Sequence, residues 1–442
     1  MGARRAHLTH LAPGEIPPGL LFMRGIQGRT GLPPTADRLP PTAYNRPMPA
    51  PATYRAEFPI LSRSVYMISN SLGAMPRQVG HSLAEYAETW ATRGVRAWAE
   101  RWWTMGTEVG DTIGRIIGAP AGSVSMHENV TTAHAVALSC LPVPGRRRRL
   151  VCCAGDFPST IYLLRAQNAL GFELTVVPTE PDFTIDVARI VDAIDETTAM
   201  VAISHVLFRS SFIVDPRPII ERAHAVGAQV VLDTYQSAGI IPVDVTALGV
   251  DFATGGCLKW LCGGPGNAFL YTRPDLLRTV RPRLTGWFSH TEPFGFGLDA
   301  FEPHADARRM MNGTPSIPAW YAALPGLRIL EDVGITVVRA RSQALTARLL
   351  DIADRHGFHT VASRDPTQLA GTVAVDVPDA LLVARTLNAR DYVVDYRPAV
   401  GIRISPHFYN TEDEVERLMA ELARIVASKD YDPGATGPTV VT

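Results

Sequence analysis

FATGGCLKWLCGGPGNAFLY, from Phe252 to Tyr271, places one lysine in a stretch that is otherwise apolar or rich in glycine. Apolar runs at its two ends, "DFATG" (251–255) and "NAFLYT" (267–272), predict two buried strands. Lys259 therefore follows directly on a buried strand, which is an unusual place for a solvated charge. The position indicates either a lysine whose stem lies along the surface or a lysine that takes part in chemistry.

Further strands are predicted upstream of this stretch, with amphipathic helices such as residues 215–227 between several of them. They are "RLVCCAG" (149–155), "ELTVVP" (173–178), "AMVAISHVL" (199–207) and "AQVVLD" (228–233). Continuous apolar strands that alternate with helices predict an α/β fold, with a mostly parallel sheet covered on both faces. From about residue 316, helices mixed with short strands predict a smaller α+β domain.

The chain has 442 residues, 46% of them hydrophobic, which is enough for a large core in two lobes. We predict three segments. Residues 1–53 contain repeated prolines, as in "LPPTAYNRPMPAP", and form an arm that is disordered or wraps a partner. Residues 54–315 form the large domain, and residues 316–442 form the small C-terminal domain, whose last residues from "SKDYDPGATGPTVVT" are loose.

Charge and cysteine usage exclude several classes of protein. A net charge of -1 gives no basic excess for nucleic acid. No apolar run reaches the roughly 18 residues of a membrane span, and no secretory signal is recognisable. The five cysteines are odd in number and lie mostly in apolar runs, so we expect buried free thiols in a reducing cytoplasm. Their spacing predicts no metal site.

Polar groups at strand ends suggest one particular chemistry. Asp233 closes "VVLD", Lys259 follows the next strand, and Asn129, Thr131 and Thr132 lie in "SMHENVTTAHAVAL", a polar turn that opens a helix. Each alone has an ordinary explanation as a helix cap, an ion pair or a surface lysine. Together they suit pyridoxal phosphate, which needs a lysine for a Schiff base, a carboxylate for its ring nitrogen and a cradle for its phosphate.

A series of short motifs in fixed order carries a resemblance over residues 55–427. They are "SNSLGAMPR" (69–77), "NVTTAH", "FPSTIY" (157–162), "ISHVLF", "LDTYQSAGIIPVDV", "LKWLCGGPGNAFLY", "TGWFSH" (285–290), "NGTPSIP" (312–318) and "IRISPHFYNTEDEVERL" (402–418). In these motifs the chain resembles the fold-type I, class V pyridoxal phosphate enzymes, and most of all their kynureninase-like group. The resemblance implies that fold, that cofactor and an α-amino acid substrate.

The resemblance also implies roles around the cofactor. Lys259 would carry it as a Schiff base, Asp233 would pair with its ring nitrogen, Phe157 would stack on its ring, and Gln236 would lie near its ring hydroxyl. The phosphate would be bound by Val130 and Thr131, with Ser204 nearby.

Further roles concern the substrate and a second subunit. Arg403 would bind the substrate α-carboxylate with two hydrogen bonds, and Asn70 and Ser71 would line the substrate entrance. Trp287 and Thr314 would reach in from a neighbouring subunit, so the resemblance implies a homodimer with shared sites.

Four departures from the kynureninase pattern concern the substrate or its cleavage. Kynureninases have a tyrosine before the lysine that contacts the cofactor phosphate and is assigned protonation of the carbanion, whereas this chain has Leu258, which cannot donate a proton. An acidic residue is replaced by Thr160. A Tyr-Thr-Gly run is replaced by Arg209-Ser210-Ser211, which adds a cation near the site. A histidine of the aryl pocket has no partner in "TRGVRAW" (92–98).

These departures leave the reaction open. The leading hypothesis is side-chain cleavage, transamination or oxidative deamination of an α-amino acid, and "LKWLC" is nearer to the "HKWLC" of epimerase- and aminotransferase-like members. The first alternative is a true kynureninase, which cleaves Cβ–Cγ to give alanine and anthranilate. The second is a catalytically silent cofactor-binding regulator. A cysteine desulfurase is disfavoured because no cysteine follows Cys262.

Overall fold

The computed structural model of the chain describes residues 51–431. Most of the predicted N-terminal arm and the predicted loose residues after 431 lie outside the described residues. Residues 51–53, the last of the arm, begin a 3-10 helix, Pro51–Glu57. The described residues belong to one compact unit. The division into a large and a small domain at residue 316 therefore stays a prediction.

The twelve α-helices and thirteen strands of the described residues have the following bounds. The helices are α1 Gln78–Arg93, α2 Trp103–Ile117, α3 Val130–Ser139, α4 Pro158–Ala166, α5 Val187–Asp192, α6 Arg217–Ala225, α7 Val245–Leu248, α8 Pro274–Leu277, α9 Ile317–Val333, α10 Ile335–Arg355, α11 Ala380–Ala389 and α12 Glu412–Ser428. The strands are β1 Val65–Tyr66, β2 Val124–His127, β3 Arg149–Cys153, β4 Glu173–Val177, β5 Thr198–Ser204, β6 Gln229–Asp233, β7 Phe252–Gly256, β8 Ala268–Thr272, β9 His359–Val361, β10 Val373–Asp376, β11 Tyr392–Val393, β12 Asp395–Arg397 and β13 Gly401–Ile404.

A seven-stranded sheet forms the centre of the molecule, in the order β2-β8-β7-β6-β5-β3-β4. Strands β3 to β7 pair in parallel. Only β8 runs against its neighbours, pairing antiparallel with β2 and β7. This is the mostly parallel sheet that the apolar runs predict, because strands covered on both faces need no polar alternation.

A second sheet has four antiparallel strands, in the order β12-β13-β10-β9. Helices α10, α11 and α12 pack against it over a separate hydrophobic cluster. Helix α12 begins with a capping box in which the Thr411 hydroxyl accepts from the Glu414 amide and the Glu414 carboxylate accepts from the Thr411 amide. This part of the chain is the predicted smaller α+β region.

The order of strands places a crevice at one edge of the large sheet. The chain goes from β3 outward to β4 and then returns to the other side of β3 as β5. Ligands of such sheets bind at the carboxyl ends of the strands where the order reverses. Ser204 ends β5, Asp233 ends β6, and Phe157 follows β3, so the predicted residues meet at this edge.

Two features of the described residues bear on the class of protein. No helix among them is long and apolar enough to cross a membrane. All five cysteines are free, and four of them are buried.

Candidate active site

The loop that carries Lys259 follows β7 and is held by the segment that contains "SNSLG". The Gly73 amide donates a hydrogen bond to the Leu258 carbonyl at 2.9 Å. A Cβ atom on Gly73 would lie 2.1 Å from the Lys259 carbonyl oxygen, so only glycine permits this contact. The first motif of the resemblance is thus explained by packing against the lysine loop.

A cavity of about 170 Å³ lies at the carboxyl edge of the sheet and contains the lysine side chain. Six of the predicted site residues line it: Val130, Phe157, Ser204, Asp233, Gln236 and Lys259. The remaining wall is formed by residues without a predicted cofactor role: Thr160, Val206, Phe208, Tyr235 and Leu258. Segments far apart in sequence therefore converge on Lys259.

The Lys259 ammonium lies over two aromatic rings. Its Nζ atom is 4.5 Å from the ring centroid of Tyr235 and 5.7 Å from that of Phe157. The pKa of Lys259 is lowered to about 7, chiefly by burial and then by the positive charge of Arg403, whereas the carboxylate of Asp233 raises it. A lysine with a pKa near neutrality has a large neutral fraction, which is the form that attacks a carbonyl carbon.

Asp233 and Gln236 are both buried at the end of β6. One carboxylate oxygen of Asp233 accepts a hydrogen bond from the Tyr235 amide at 2.8 Å. Gln236 is held at both ends of its amide, since Nε2 donates to the Asn70 carbonyl at 3.1 Å and Oε1 accepts from the indole of Trp260 at 2.9 Å. Gln236 therefore connects the lysine loop to the "SNSLG" segment.

Phe157 is positioned by the buried residue before it. The Asp156 carboxylate accepts from the Cys153 amide at 2.8 Å and from the Ser204 amide at 2.6 Å, which joins the ends of β3 and β5. Burial raises the pKa of Asp156 to about 6, although these two hydrogen bonds lower it. Pro158 then starts α4, so the Phe157 ring stands at the beginning of a helix, 44% exposed at the cavity.

Helix α3 begins at the same cavity. Asn129 caps the helix, its side-chain oxygen accepting from the Thr132 amide at 2.9 Å. Val130 lines the cavity, and Thr131 is exposed beside it. The amides at a helix start have no partner within the helix, and they favour an anion such as phosphate.

Arg403 is buried and already paired with a carboxylate. Its guanidinium donates through Nε to Asp395 at 2.8 Å, through Nη2 to the second Asp395 oxygen and to the Ser71 hydroxyl, and through Nη1 to the Phe208 carbonyl at 2.7 Å. The Nε–Nη2 edge thus faces Asp395, the second N–H of Nη2 is bonded to Ser71, and one N–H of Nη1 remains. Ser71 also donates to Asp395, at 2.7 Å.

Asn70 is 1% exposed, and neither its amide nitrogen nor its amide oxygen has a hydrogen-bond partner among the described residues. Buried polar atoms are nearly always paired in folded proteins. Asn70 adjoins Ser71, and its backbone carbonyl accepts from Gln236 of the cavity wall, so its unpaired amide lies next to the residues that line the cavity. The lysine, the carboxylate, the helix start and this amide together fit pyridoxal phosphate and an amino acid.

The structure does not bring Trp287 and Thr314 to the cavity of their own chain. Trp287 packs with Trp103, Phe288 and Phe294, and its indole donates to the Pro293 carbonyl at 2.8 Å. Thr314 is exposed. The contribution of these two residues to a neighbouring subunit stays a prediction. Arg209, the extra cation, lies over the rings of Phe208 and Phe183 at 5.4 Å from each.

Asp395 and Asp156 are site residues that the sequence motifs did not identify. Asp395 lies directly opposite Arg403 in the pairing of β12 with β13, so a predicted hairpin around residues 398–400 was the signal that could have found it. Asp156 lies between the apolar run of β3 and the start of α4. A carboxylate at this position can accept hydrogen bonds from amides at the ends of two strands, as Asp156 does.

Comparison with known proteins agrees with this geometry. The sequence pattern of the family described as Aminotransferase class-V matches residues 65–418, which is most of the chain. An uncharacterized aminotransferase of Bacillus subtilis, YcbU, is 29% identical over 374 residues, covering 84% of this chain and 97% of that protein. The kynureninase of Pseudomonas fluorescens is 27% identical over 396 residues, covering 86% of this chain and 93% of that protein.

Solved structures show the same fold. A cysteine desulfurase of Thermococcus onnurineus NA1 superposes with a TM-score of 0.75 at 22% identity, covering 86% of this chain and 99% of that one. The cystine C-S lyase C-DES, in complex with its product cysteine persulfide, superposes with a TM-score of 0.73 at 22% identity, covering 85% of this chain and 100% of that one. At this identity the likeness concerns the fold alone.

The chain belongs to the class-V aminotransferase family. The predicted fold type I is confirmed by the sheet and by these neighbours. The prediction of an enzyme that depends on pyridoxal phosphate is confirmed with the family. The roles of single residues stay predictions.

The low pKa of Lys259 predicts how the cofactor attaches. After removal of the cofactor, the rate at which pyridoxal phosphate binds covalently should rise with pH around a midpoint of about 7, because the neutral amine is the reactive form. Stability of this cofactor-free protein should also rise between pH 7 and 10.5, since the unfolded chain binds the lysine proton over that range and the folded chain does not. Rapid-mixing absorbance measurements give the midpoint. A value near that of an ordinary lysine would contradict the burial argument.

Proposed function

We propose that the chain uses pyridoxal phosphate on Lys259 to transform a small α-amino acid at Cα or Cβ. The observation that carries this proposal is the cavity in which a lysine with a lowered pKa meets the carboxylate of Asp233 at the ends of adjacent strands. When bound, pyridoxal phosphate supplies an electron sink for bonds at Cα. Side-chain cleavage, transamination and oxidative deamination are all compatible with this chemistry.

Four parts of the site have a proposed task in this reaction: Lys259, Asp233, the start of α3 and Phe157. Lys259 binds the cofactor and, once released, moves a proton at the substrate Cα. Asp233 keeps a proton on the ring nitrogen, since a buried carboxylate stabilises a cation beside it. The first amides of α3 hold the phosphate, and Phe157 covers the ring.

The substrate carboxylate has a proposed site between Arg403 and Asn70. Arg403 has one N–H of Nη1 left after its bonds to Asp395, Ser71 and Phe208, and Asn70 has a free amide. A carboxylate with one oxygen on each residue would satisfy both. The proposal therefore has Arg403 make one bond to the carboxylate and not the expected two, because Asp395 and Ser71 occupy both N–H groups of Nη2, which either edge of the guanidinium needs for two bonds.

A true kynureninase is the less favoured candidate. Leu258 and Thr160 both line the cavity, so the wall has an alkyl group and a hydroxyl where kynureninases have a tyrosine and an acidic residue. A leucine has no proton to give to a carbon left after Cβ–Cγ cleavage. Kynureninases that match this chain are 26 to 28% identical to it, and this degree of similarity leaves the reaction open.

We expect weak kynurenine hydrolysis. Anthranilate release from kynurenine should be at least about 10³-fold slower than an ordinary kcat of order 10 s⁻¹. Amino acids that react at Cα alone, or that lose a good leaving group from Cβ, should be better substrates. Anthranilate fluorescence with kynurenine and 3-hydroxykynurenine measures the first, and absorbance changes of the holoenzyme with a panel of amino acids measure the second.

Leu258→Tyr is the matched test of this explanation. The Leu258 bond to Gly73 uses the backbone carbonyl, so the substitution leaves it in place. If the missing tyrosine limits hydrolysis, this variant should release anthranilate faster than the natural chain. Fast release by the natural chain would show that another group delivers the proton, and the argument from Leu258 would fail.

A homodimer with shared sites is also part of the proposal. A largely apolar groove of about 750 Å³ is lined by the lysine-loop residues 262–266, by the segment around Leu72 and Met75, and by the start of α9. Leu72 is 45% and Met75 57% exposed. A second copy of the chain would cover such a surface, and it would also bring a second Trp287 and Thr314 near the site. The cytoplasmic location stays a prediction.

A further inference from the structure

Tyr235 is an aromatic residue of the cavity wall without a role in the predicted constellation. It lies two residues after Asp233, to which its amide is bonded. The Lys259 Nζ atom is nearer to the centroid of the Tyr235 ring, at 4.5 Å, than to that of Phe157, at 5.7 Å. Phe157 makes its ring contact with Phe208 rather than with Tyr235. Nζ therefore lies at the faces of two rings that do not pack on each other.

Gly256 makes room for this tyrosine. A Cβ atom on Gly256 would lie 2.5 Å from Cε2 of Tyr235 and 2.8 Å from its hydroxyl oxygen, so any side chain there would displace the ring. The register of the sheet explains this approach. Asp233 pairs with Thr254, Gly256 lies two residues after Thr254 at the end of β7, and Tyr235 lies two residues after Asp233, just beyond the end of β6. The absence of a side chain at Gly256 therefore leaves the space that the Tyr235 ring occupies.

The ring, rather than the hydroxyl, faces the lysine. The hydroxyl oxygen lies beside Gly256, 2.8 Å from where a Cβ atom on that residue would stand. Burial raises the pKa of the Tyr235 phenol, so the ring stays neutral over the working pH range. A neutral aromatic face is suited to packing against another planar ring.

We propose that Tyr235 is a further cofactor-binding residue, whose ring forms a second aromatic wall for the planar ring that Lys259 holds, with Phe157 as the first. This inference rests on the proposed function, because it requires the cofactor to be bound at Lys259. The proposal assigns the cofactor contact to the face of the Tyr235 ring and not to the Tyr235 hydroxyl. It therefore predicts that phenylalanine can replace Tyr235 and that an aliphatic residue cannot.

Release of pyridoxal phosphate from the holoenzyme tests this proposal. Tyr235→Leu should raise the dissociation constant about ten-fold or more, the scale of a lost aromatic pair together with its buried contact area. Tyr235→Phe should stay within about two-fold of the natural chain. Equal affinity of the leucine variant and the natural chain would overturn the proposal, and so would a phenylalanine variant as weak as the leucine variant, because the hydroxyl would then be the binding group.

A second measurement tests the same contact without removing the Tyr235 ring. With 3-fluorotyrosine placed at residue 235, the fluorine resonance should shift when cofactor is removed, because the ring current of the cofactor acts over a few ångströms. The same label at Tyr431, which bonds to Asp379 in the small sheet region, should not shift. An unmoved resonance at residue 235 would overturn the proposal.

The two proposals fail in distinguishable ways. Borohydride fixes the cofactor to whichever amine holds it, whatever Tyr235 does. If no cofactor is fixed to Lys259, the proposed function fails. If cofactor is fixed there and the variants and the fluorine resonance do not respond as expected, only the role of Tyr235 fails.

Discussion

Lys259→Ala should abolish the visible absorption band of the purified protein and lower turnover of any amino acid substrate by at least about 10³-fold, as expected when a covalent catalytic group is removed. Lys259 is the only lysine in the cavity, and no other residue there can form an imine with an aldehyde. The fold should persist, because the substitution removes a charge from a buried site where an ammonium is unfavourable.

The sequence offers a matched control for this variant. The chain has two lysines, Lys259 and Lys429. Lys429 is exposed at the end of α12. Lys429→Gln should leave absorbance and turnover unchanged. Normal absorbance and turnover in Lys259→Ala, checked by spectroscopy on dialysed protein, would show that the cofactor is held elsewhere.

Asp233→Asn should keep the fold and most of the cofactor but lower the rate at least about 10²-fold, within the range for a lost electrostatic stabiliser. The asparagine oxygen can still accept from the Tyr235 amide, so the local structure is maintained. Without the carboxylate, the ring nitrogen would lose its proposed partner. The pKa of Lys259 should also fall, because the Asp233 charge raises it.

Asp251→Asn is the control for loss of a buried carboxylate. Asp251 precedes β7 at the opposite edge of the sheet, where it accepts from the Val230 amide and pairs with His224 and Arg273. This variant should lower the melting temperature and leave the absorption of the bound cofactor unchanged. If Asp233→Asn turned over substrate at a near-normal rate, the pairing of Asp233 with the ring nitrogen would be wrong.

The sequence was sufficient to predict the large sheet and the meeting of Lys259 with Asp233. Buried parallel strands appear as continuous apolar runs, and their carboxyl ends share one edge, so a residue at each strand end is placed without further information. Strand β2, Val124–His127, was missed because it is short and contains serine and histidine. The antiparallel direction of β8 could not be read from an apolar run, which is the same in either direction.

Contacts between distant segments could not be predicted in the same way. The pairing of Arg403 with Asp395 depends on the register of a hairpin, and the two bonds of Gln236 join three segments that are far apart in sequence. The position of Tyr235 depends on the absence of a side chain at Gly256. The predicted contribution of Trp287 and Thr314 to the site would depend on a second copy of the chain. Sequence motifs identify such residues only through resemblance to a family. The folded structure is needed to show which residues they contact.

The most direct test of the account is to locate the covalent attachment. Holoenzyme reduced with borohydride is digested, and the peptides that carry reduced pyridoxyl phosphate are identified by mass spectrometry. The account predicts a single modified peptide that contains Lys259 within "CLKWLC", with no modification of Lys429 or of the terminal amine. Stoichiometric label on Lys429 or the terminal amine, with Lys259 unmodified, would contradict the central claim.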